Sequence, residues 1–211
     1  MGFSLTLHYL RTDKDYSNNL QNYLGRKVSR KVSGIILAGG KGTRMQNANK
    51  GLQVFEGRML IESVISRLSP QVDEIIISAN QDIVAYEKLG HQVVTDSGNS
   101  LGPLSGIQSA AQRTIHDNIF ITACDMPYLP ETIVAELLKE NAPVTVAESN
   151  DGIEPLASLV NQTAIKLIDE CLLEQRYSVV HWLTKCGAVT VPMQHLGKTA
   201  FFNINTLEEL T

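Results

Sequence analysis

From Ser33 onward, short apolar runs rich in β-branched residues alternate with longer amphipathic stretches. That alternation predicts a single-domain α/β fold, a mainly parallel sheet with helices on both faces. Strands are expected at 34–38, 74–78, 92–95, 119–123, 144–147 and 188–191, with a shorter one through 156–160. Helices are expected at 60–68, 83–89, 104–114, 131–140, 163–173 and 178–185. No Pro/Gly/Ser-rich linker interrupts residues 33–211, so they are read as one domain. The first 32 residues differ in kind: Arg11, Lys14, Arg26, Lys27, Arg30 and Lys31 are scattered among Tyr, Asn and Ser, which suggests a poorly ordered extension, with a helical arm for oligomer contacts as the alternative.

Composition narrows the function. The 211 residues are 43% hydrophobic and 19% charged, enough apolar material for one sizeable core. A net charge of −4 argues against a protein that holds nucleic acid by bulk electrostatics, so an anionic ligand has to be met locally, by a few cations and backbone amides. No apolar stretch approaches the roughly 20 residues that span a bilayer. Cys124, Cys171 and Cys186 form no CxxC, and the histidines lack metal-ligand spacing; a disulfide framework and a zinc site are disfavoured, and a cytoplasmic protein is expected. Asn161-Gln162-Thr163 matches a glycosylation sequon but reads as chance.

The polar and Gly-rich residues cluster just after the expected strand ends, the rim at which open α/β sheets bind ligands. The first strand runs into Gly39-Gly40-Lys41-Gly42-Thr43-Arg44-Met45, with three glycines and two cations in seven residues. Glycines let backbone N–H groups approach an anion and the cations balance its charge, although a flexible turn would look similar. The spacing matches neither a Walker A loop nor a dinucleotide fingerprint. Lys50 follows, placed to reach triphosphate oxygens as a point charge or to lie solvated at the surface. Ile121-Thr122-Ala123-Cys124-Asp125-Met126-Pro127 ends an apolar strand in a carboxylate, suited to Mg²⁺ or to a helix cap. Residues 201–205 read as a strand leading to a helix start with Thr206 as N-cap and Glu209 at the capping-box position. Trp182, Phe201, Phe202 and Cys124 read as core residues.

Leu37-Ala38-Gly39-Gly40-Lys41-Gly42-Thr43-Arg44-Met45 with Lys50-Gly51-Leu52 resembles the signature of nucleotidyltransferases that act on molybdenum cofactor and on sugar phosphates. Ile77-Ser78-Ala79-Asn80, Asp96-Ser97 with Gly102-Pro103-Leu104-Ser105-Gly106, Cys124-Asp125-Met126-Pro127 and Asn203-Ile204-Asn205-Thr206 follow in that family's order. Within the family the chain is most similar to the molybdenum cofactor guanylyltransferases, over about residues 33–211.

The resemblance implies a Rossmann-like nucleotidyltransferase fold that transfers GMP from GTP to the terminal phosphate of molybdopterin, with Mg²⁺ as cofactor. It implies that Leu37, Ala38 and Gly39 meet the guanine nucleotide, that Lys50 binds its phosphates, and that Asn80 and Asp96 contact the nucleoside. Arg44, Lys50 and Asp125 would be catalytic, Asp125 would hold Mg²⁺, and Asn205 would sit beside the metal or the pterin. Gly102, Pro103, Gly106, Asn203 and Asn205 would line the substrate side. GTP and molybdopterin are the partners implied, with other cofactor-biosynthesis proteins or a molybdoenzyme chaperone as further candidates, and neither nucleic acid nor membrane. Leu37–Gly40 reads Leu-Ala-Gly-Gly, as in the guanylyl branch, where the cytidylyltransferases tend to Leu-Ala-Ala-Gly. A cytidylyltransferase, a sugar-phosphate nucleotidyltransferase and an inactive GTP-binding adaptor are the rival readings. The chain departs from the family pattern at Gln46, where Gly is usual, at Asn49, where Asp is usual, and at Glu154-Pro155, where His-Pro is frequent.

Overall fold

In a computed structural model, the structure describes residues 30–39, 49–96, 102–197 and 199–205. The chain divides into two compact units, Met1–Arg30 and Lys31–Thr211. The expected N-terminal extension therefore lies almost wholly outside the described residues.

The second unit is built on a seven-stranded sheet. In chain order its strands are β1 (Val32–Leu37), β4 (Glu74–Ser78), β5 (Gln92–Val94), β6 (Asn118–Ala123), β7 (Val144–Ser149), β8 (Gly152–Asn161) and β9 (Val189–Pro192). The order across the sheet is β5-β4-β1-β6-β8-β7-β9, and β8 alone runs against the others. A separate two-stranded hairpin pairs β2 (Val54–Phe55) with β3 (Arg58–Met59). Six described α-helices complete the unit: α1 (Leu60–Leu68), α2 (Ile83–Glu87), α3 (Pro103–Ala111), α4 (Ile133–Lys139), α5 (Gln162–Leu173) and α6 (Val179–Lys185).

Every residue of β1 is buried, and its one polar side chain, Ser33, donates its hydroxyl to Glu74 Oε1. Because successive side chains of a strand point to opposite faces, its residues divide between two cores. Val32 and Ile36 join a core with Ile61, Val64 and Leu68 of α1, Tyr86 of α2 and Ile133 and Leu137 of α4. Ile35 and Leu37 join the other, with Leu104 and Ile107 of α3, Ile165 and Ile168 of α5 and Trp182 of α6. The mainly parallel sheet with helices on both faces is therefore as expected. The helix starts have local causes: Glu62 Oε2 accepts from the Met59 amide at the head of α1, and Asn161 Oδ1 accepts from the Ala164 amide at the head of α5. The sequon asparagine is thus a helix cap.

Most expected elements lie within a few residues of those observed, and four readings need correction. The β2–β3 hairpin was not foreseen; it turns through Glu56 and Gly57, both at positive φ (50° and 78°), without the Asn-Gly or Asp-Gly pair that usually advertises such a turn. β8 runs ten residues rather than five, because its first half pairs with β7 across a tight turn at Asn150–Asp151. Residues 201–205 form no strand: their described backbone bonds are a turn from Phe202 to Thr199 and a single bond from the Ile204 amide to the Asp125 carbonyl, not a ladder. Phe202 is 43% exposed, whereas Phe201 and Trp182 are core residues as read, the indole N–H donating to the Ala164 carbonyl at 2.9 Å.

Phe120, at the middle of β6 and fully buried, should be among the costliest truncations. Phe120→Ala is expected to lower unfolding free energy by about 3–5 kcal/mol, measured by urea denaturation.

Candidate active site

The parallel strands bring their C-terminal ends to one edge. Leu37 is in register with Ser78 on one side and Ala123 on the other, and Ser78 with Val94. Backbone bonds carry this order one step beyond the strands: Ala38 N–H to Ser78 O (2.8 Å), Cys124 N–H to Leu37 O (3.0 Å) and Ala79 N–H to Val94 O (3.0 Å). Leu37, Ala38, Gly39, Asn80, Asp96 and Asp125, expected at the nucleotide, are thereby collected on a single rim.

Asn80 and Asp96 are tied together. The Asp96 amide donates to Asn80 Oδ1 at 3.0 Å, and the Ser105 hydroxyl lies 3.0 Å from Asp96 Oδ2 and 2.9 Å from the Gly102 carbonyl. Gly102 opens α3 at φ 84°, a conformation that favours glycine, and Pro103 occupies the first helical turn, where a missing N–H costs nothing. Gly106 is buried against the Ser78 hydroxyl. The Gly-Pro-Leu segment therefore stands beside the Asn80–Asp96 pair.

At the tip of β6, Asp125 and Lys50 form an ion pair, both side chains mostly buried. Lys50 Nζ also donates to Asn205 Oδ1 at 2.9 Å. Asn205 reaches this point because the Ile204 amide is bonded to the Asp125 carbonyl and the Ile204 side chain is wholly buried. Three segments far apart in sequence thus converge on one ion pair. The second oxygen of Asp125, Oδ1, is buried with no hydrogen-bond partner among the described residues. A buried carboxylate oxygen without a donor is costly, and a cation would relieve it. Both neighbouring acceptors, Asp125 and Asn205, offer oxygen, the chemistry of a hard ion such as Mg²⁺. Among the described residues no group of three or more His, Cys, Asp or Glu could hold a metal; a Mg²⁺ ion held by one or two carboxylates usually takes substrate phosphates and water as further ligands.

Asn203 and Asn205 also line a cavity of about 300 Å³ with Ser149, Asp151, Glu154 and Phe202, at the β7–β8 turn. Glu154 Oε1 accepts from the Ser149 hydroxyl at 2.7 Å. The expected substrate residues fall into two places: Asn203 and Asn205 at this cavity, and Gly102, Pro103 and Gly106 beside Asp96. Arg44, Lys41 and the rest of the Gly-rich loop from Gly40 to Ala48 lie outside the described residues, as do Ser97, Thr206 and Glu209.

Sequence reading missed the turn residues Ser149, Asn150 and Asp151, although Asn150-Asp151-Gly152 between two apolar runs is a recognisable hairpin signal. It also missed what stands behind Lys50. A Cβ on Gly51 would lie 2.6 Å from the Tyr86 hydroxyl and 3.2 Å from Cys124 Sγ, so the lysine turn rests directly on α2 and the end of β6.

A family model for the MobA-like NTP transferase domain matches residues 34–187. This chain belongs to that family. Among MobA-like relatives, the molybdenum cofactor guanylyltransferase of Ralstonia nicotianae is 33% identical over 193 residues, covering 85% of this chain and 94% of that protein. The enzyme of the same name from Histophilus somni is 35% identical over 185 residues, covering 85% and 94%. In fold, the chain is similar to the molybdopterin-guanine dinucleotide biosynthesis protein A of Archaeoglobus fulgidus, with a TM-score of 0.68, 24% identity and coverage of 84% and 94%. It is also similar to the inositol-1-phosphate CTP transferase of T. maritima, with a TM-score of 0.71, 14% identity and coverage of 86% and 92%. Likeness at this level of identity shows the fold alone, and function has to be argued from the site.

Cys124, beside Asp125, is no nucleophile. Burial pushes its thiol far above the ordinary range and the Asp125 carboxylate adds to the shift, so it stays protonated at neutral pH. Iodoacetamide at pH 8 should leave the Cys124 peptide unmodified in the native protein and label it in urea, as read by mass spectrometry.

Proposed function

We propose that this MobA-like protein is a molybdenum cofactor guanylyltransferase, which transfers GMP from GTP to the terminal phosphate of molybdopterin with release of pyrophosphate. The observation that carries the reading is the convergence of Lys50, Asp125 and Asn205 at the strand rim, with Asp125 Oδ1 buried and unpartnered among the described residues. The guanylyltransferase names of the relatives in Ralstonia nicotianae and Histophilus somni support the choice of substrates.

Transfer needs no protein nucleophile, since a phosphate oxygen of the acceptor attacks the α-phosphorus. A new P–O–P bridge forms, the bond between the α-phosphorus and the bridging oxygen breaks, and pyrophosphate leaves with that electron pair. The chain's part is to position the reactants and to balance charge that grows on the phosphates. Leu37, Ala38 and Gly39 offer backbone groups to the nucleotide at the end of β1, and Asn80 and Asp96 hold the nucleoside. Lys50 meets the phosphates, aided by Arg44 of the Gly-rich loop. Asp125, with Asn205 beside it, would hold Mg²⁺, which supplies charge neutralisation and a template for the oxygens when bound. The cavity at Asn203 and Glu154 takes the acceptor. A cytoplasmic location belongs to the same reading; among the described residues no helix is long and apolar enough to cross a membrane.

Calorimetric titration with GTP, CTP and ATP tests the base. GTP should bind most tightly, and more tightly with Mg²⁺ than without; preference for CTP would move the protein to the cytidylyl branch. Asp125→Ala should lower kcat by roughly 10²–10³-fold at saturating Mg²⁺, the size seen when a group stabilising transition-state charge is removed. Near-normal turnover would remove Asp125 from the mechanism.

A further inference from the structure

Asn49, the residue before Lys50, is held on both sides of its amide. Asn49 precedes a 3₁₀ turn, Lys50–Leu52, and its carbonyl accepts from the Leu52 amide at 3.2 Å and from Gln53 Nε2 at 3.1 Å. Its side chain faces α2: Nδ2 donates to Asp82 Oδ2 at 3.0 Å, and Oδ1 accepts from the Tyr86 hydroxyl. Tyr86 is fully buried, and Asp82 precedes α2 at φ 51°, the left-handed region. Burial keeps the phenol protonated, so it remains a donor.

This bridge has a defined chemistry. A carboxylate only accepts and the phenol here donates, so the group between them must donate on one side and accept on the other. An amide does both. An Asp at position 49, usual in the family pattern, would set its acceptor-only carboxylate face to face with that of Asp82.

We propose that Asn49 is a positioning residue for Lys50, and that its amide, clamped between Asp82 and Tyr86, fixes the turn that delivers the ammonium to the nucleotide phosphates. The inference rests on the reading of Lys50 as the phosphate-binding group. Gly51 continues the anchor, since its close approach to the Tyr86 hydroxyl and Cys124 leaves the turn no room to move toward the core. With the turn held at Asn49 and Gly51, Lys50 between them has only its own side-chain torsions to arrange.

The test compares GTP affinity, by calorimetry with Mg²⁺ present, for the wild type, Asn49→Asp and the Asn49→Asp/Asp82→Asn double variant, and repeats the first two in a Lys50→Ala background. Asn49→Asp should weaken GTP binding on the order of tenfold, as loss of a charge-assisted contact does. Adding Asp82→Asn should recover most of that loss, because the new amide donates to the new carboxylate. In the Lys50→Ala background Asn49→Asp should change nothing further, since it acts through the missing ammonium. A purely structural role would instead lower the thermal midpoint and give additive losses in both backgrounds, and that result overturns the proposal. Wild-type GTP binding with Asn49→Asp indistinguishable from it overturns the proposal alone; a wild type that binds no nucleotide overturns the functional reading and the proposal with it. Should Asn49→Asp fail to fold, Tyr86→Phe removes one hydroxyl of the clamp and carries the same comparison in both backgrounds, with a weaker loss expected in the Lys50 protein alone.

Discussion

The ion pair between Lys50 and Asp125 joins positions 75 residues apart, at the edge where the central strands end. Both groups are mostly enclosed, and an enclosed charge needs a partner or a ligand. That requirement organises what surrounds it. Lys50 draws in Asn205 from the C-terminal segment, the Ile204 amide locks that segment to the Asp125 carbonyl, and Asn203 and Asn205 thereby become one wall of the neighbouring cavity. The strand rim and the neighbouring cavity are thus joined through the same few bonds.

The sheet makes this convergence possible. Strands running the same way with both faces covered must leave their carboxyl ends together, and backbone bonds between successive strand tips place Leu37, Ala38, Ala79 and Cys124 in order along the rim. The one reversed strand, β8, has a separate use. Pairing with β7 through a tight turn, it brings Ser149, Asp151 and Glu154 to the cavity that Asn203 also lines.

Where sequence reading failed, the missing information was tertiary. The segment at 201–205 has a strand-like composition, yet among the described residues no strand pairs with it, and its backbone bond to Asp125 serves the site instead. Phe202 has the composition of a core residue but stands at the cavity rim. The β2–β3 hairpin carries a Glu-Gly turn too ordinary in sequence to announce two positive φ values. Asn49 read as a departure from the family pattern, and the structure supplies its partners in Asp82 and Tyr86.

The sequence by itself determined the class of fold, most of the helices and strands, and the set of residues that meet at the rim. It could do so because apolar periodicity is local, and because the motifs after β1, β4 and β6 must share an edge once their strands run parallel. Only the tertiary structure decided which of those residues touch. Whether Lys50 lies solvated or pairs with Asp125, and whether Asn49 hangs free or is clamped, depends on side chains from other segments. A hydrogen bond acts over about 3 Å, and no spacing along a chain encodes so short a distance between residues that folding alone makes neighbours.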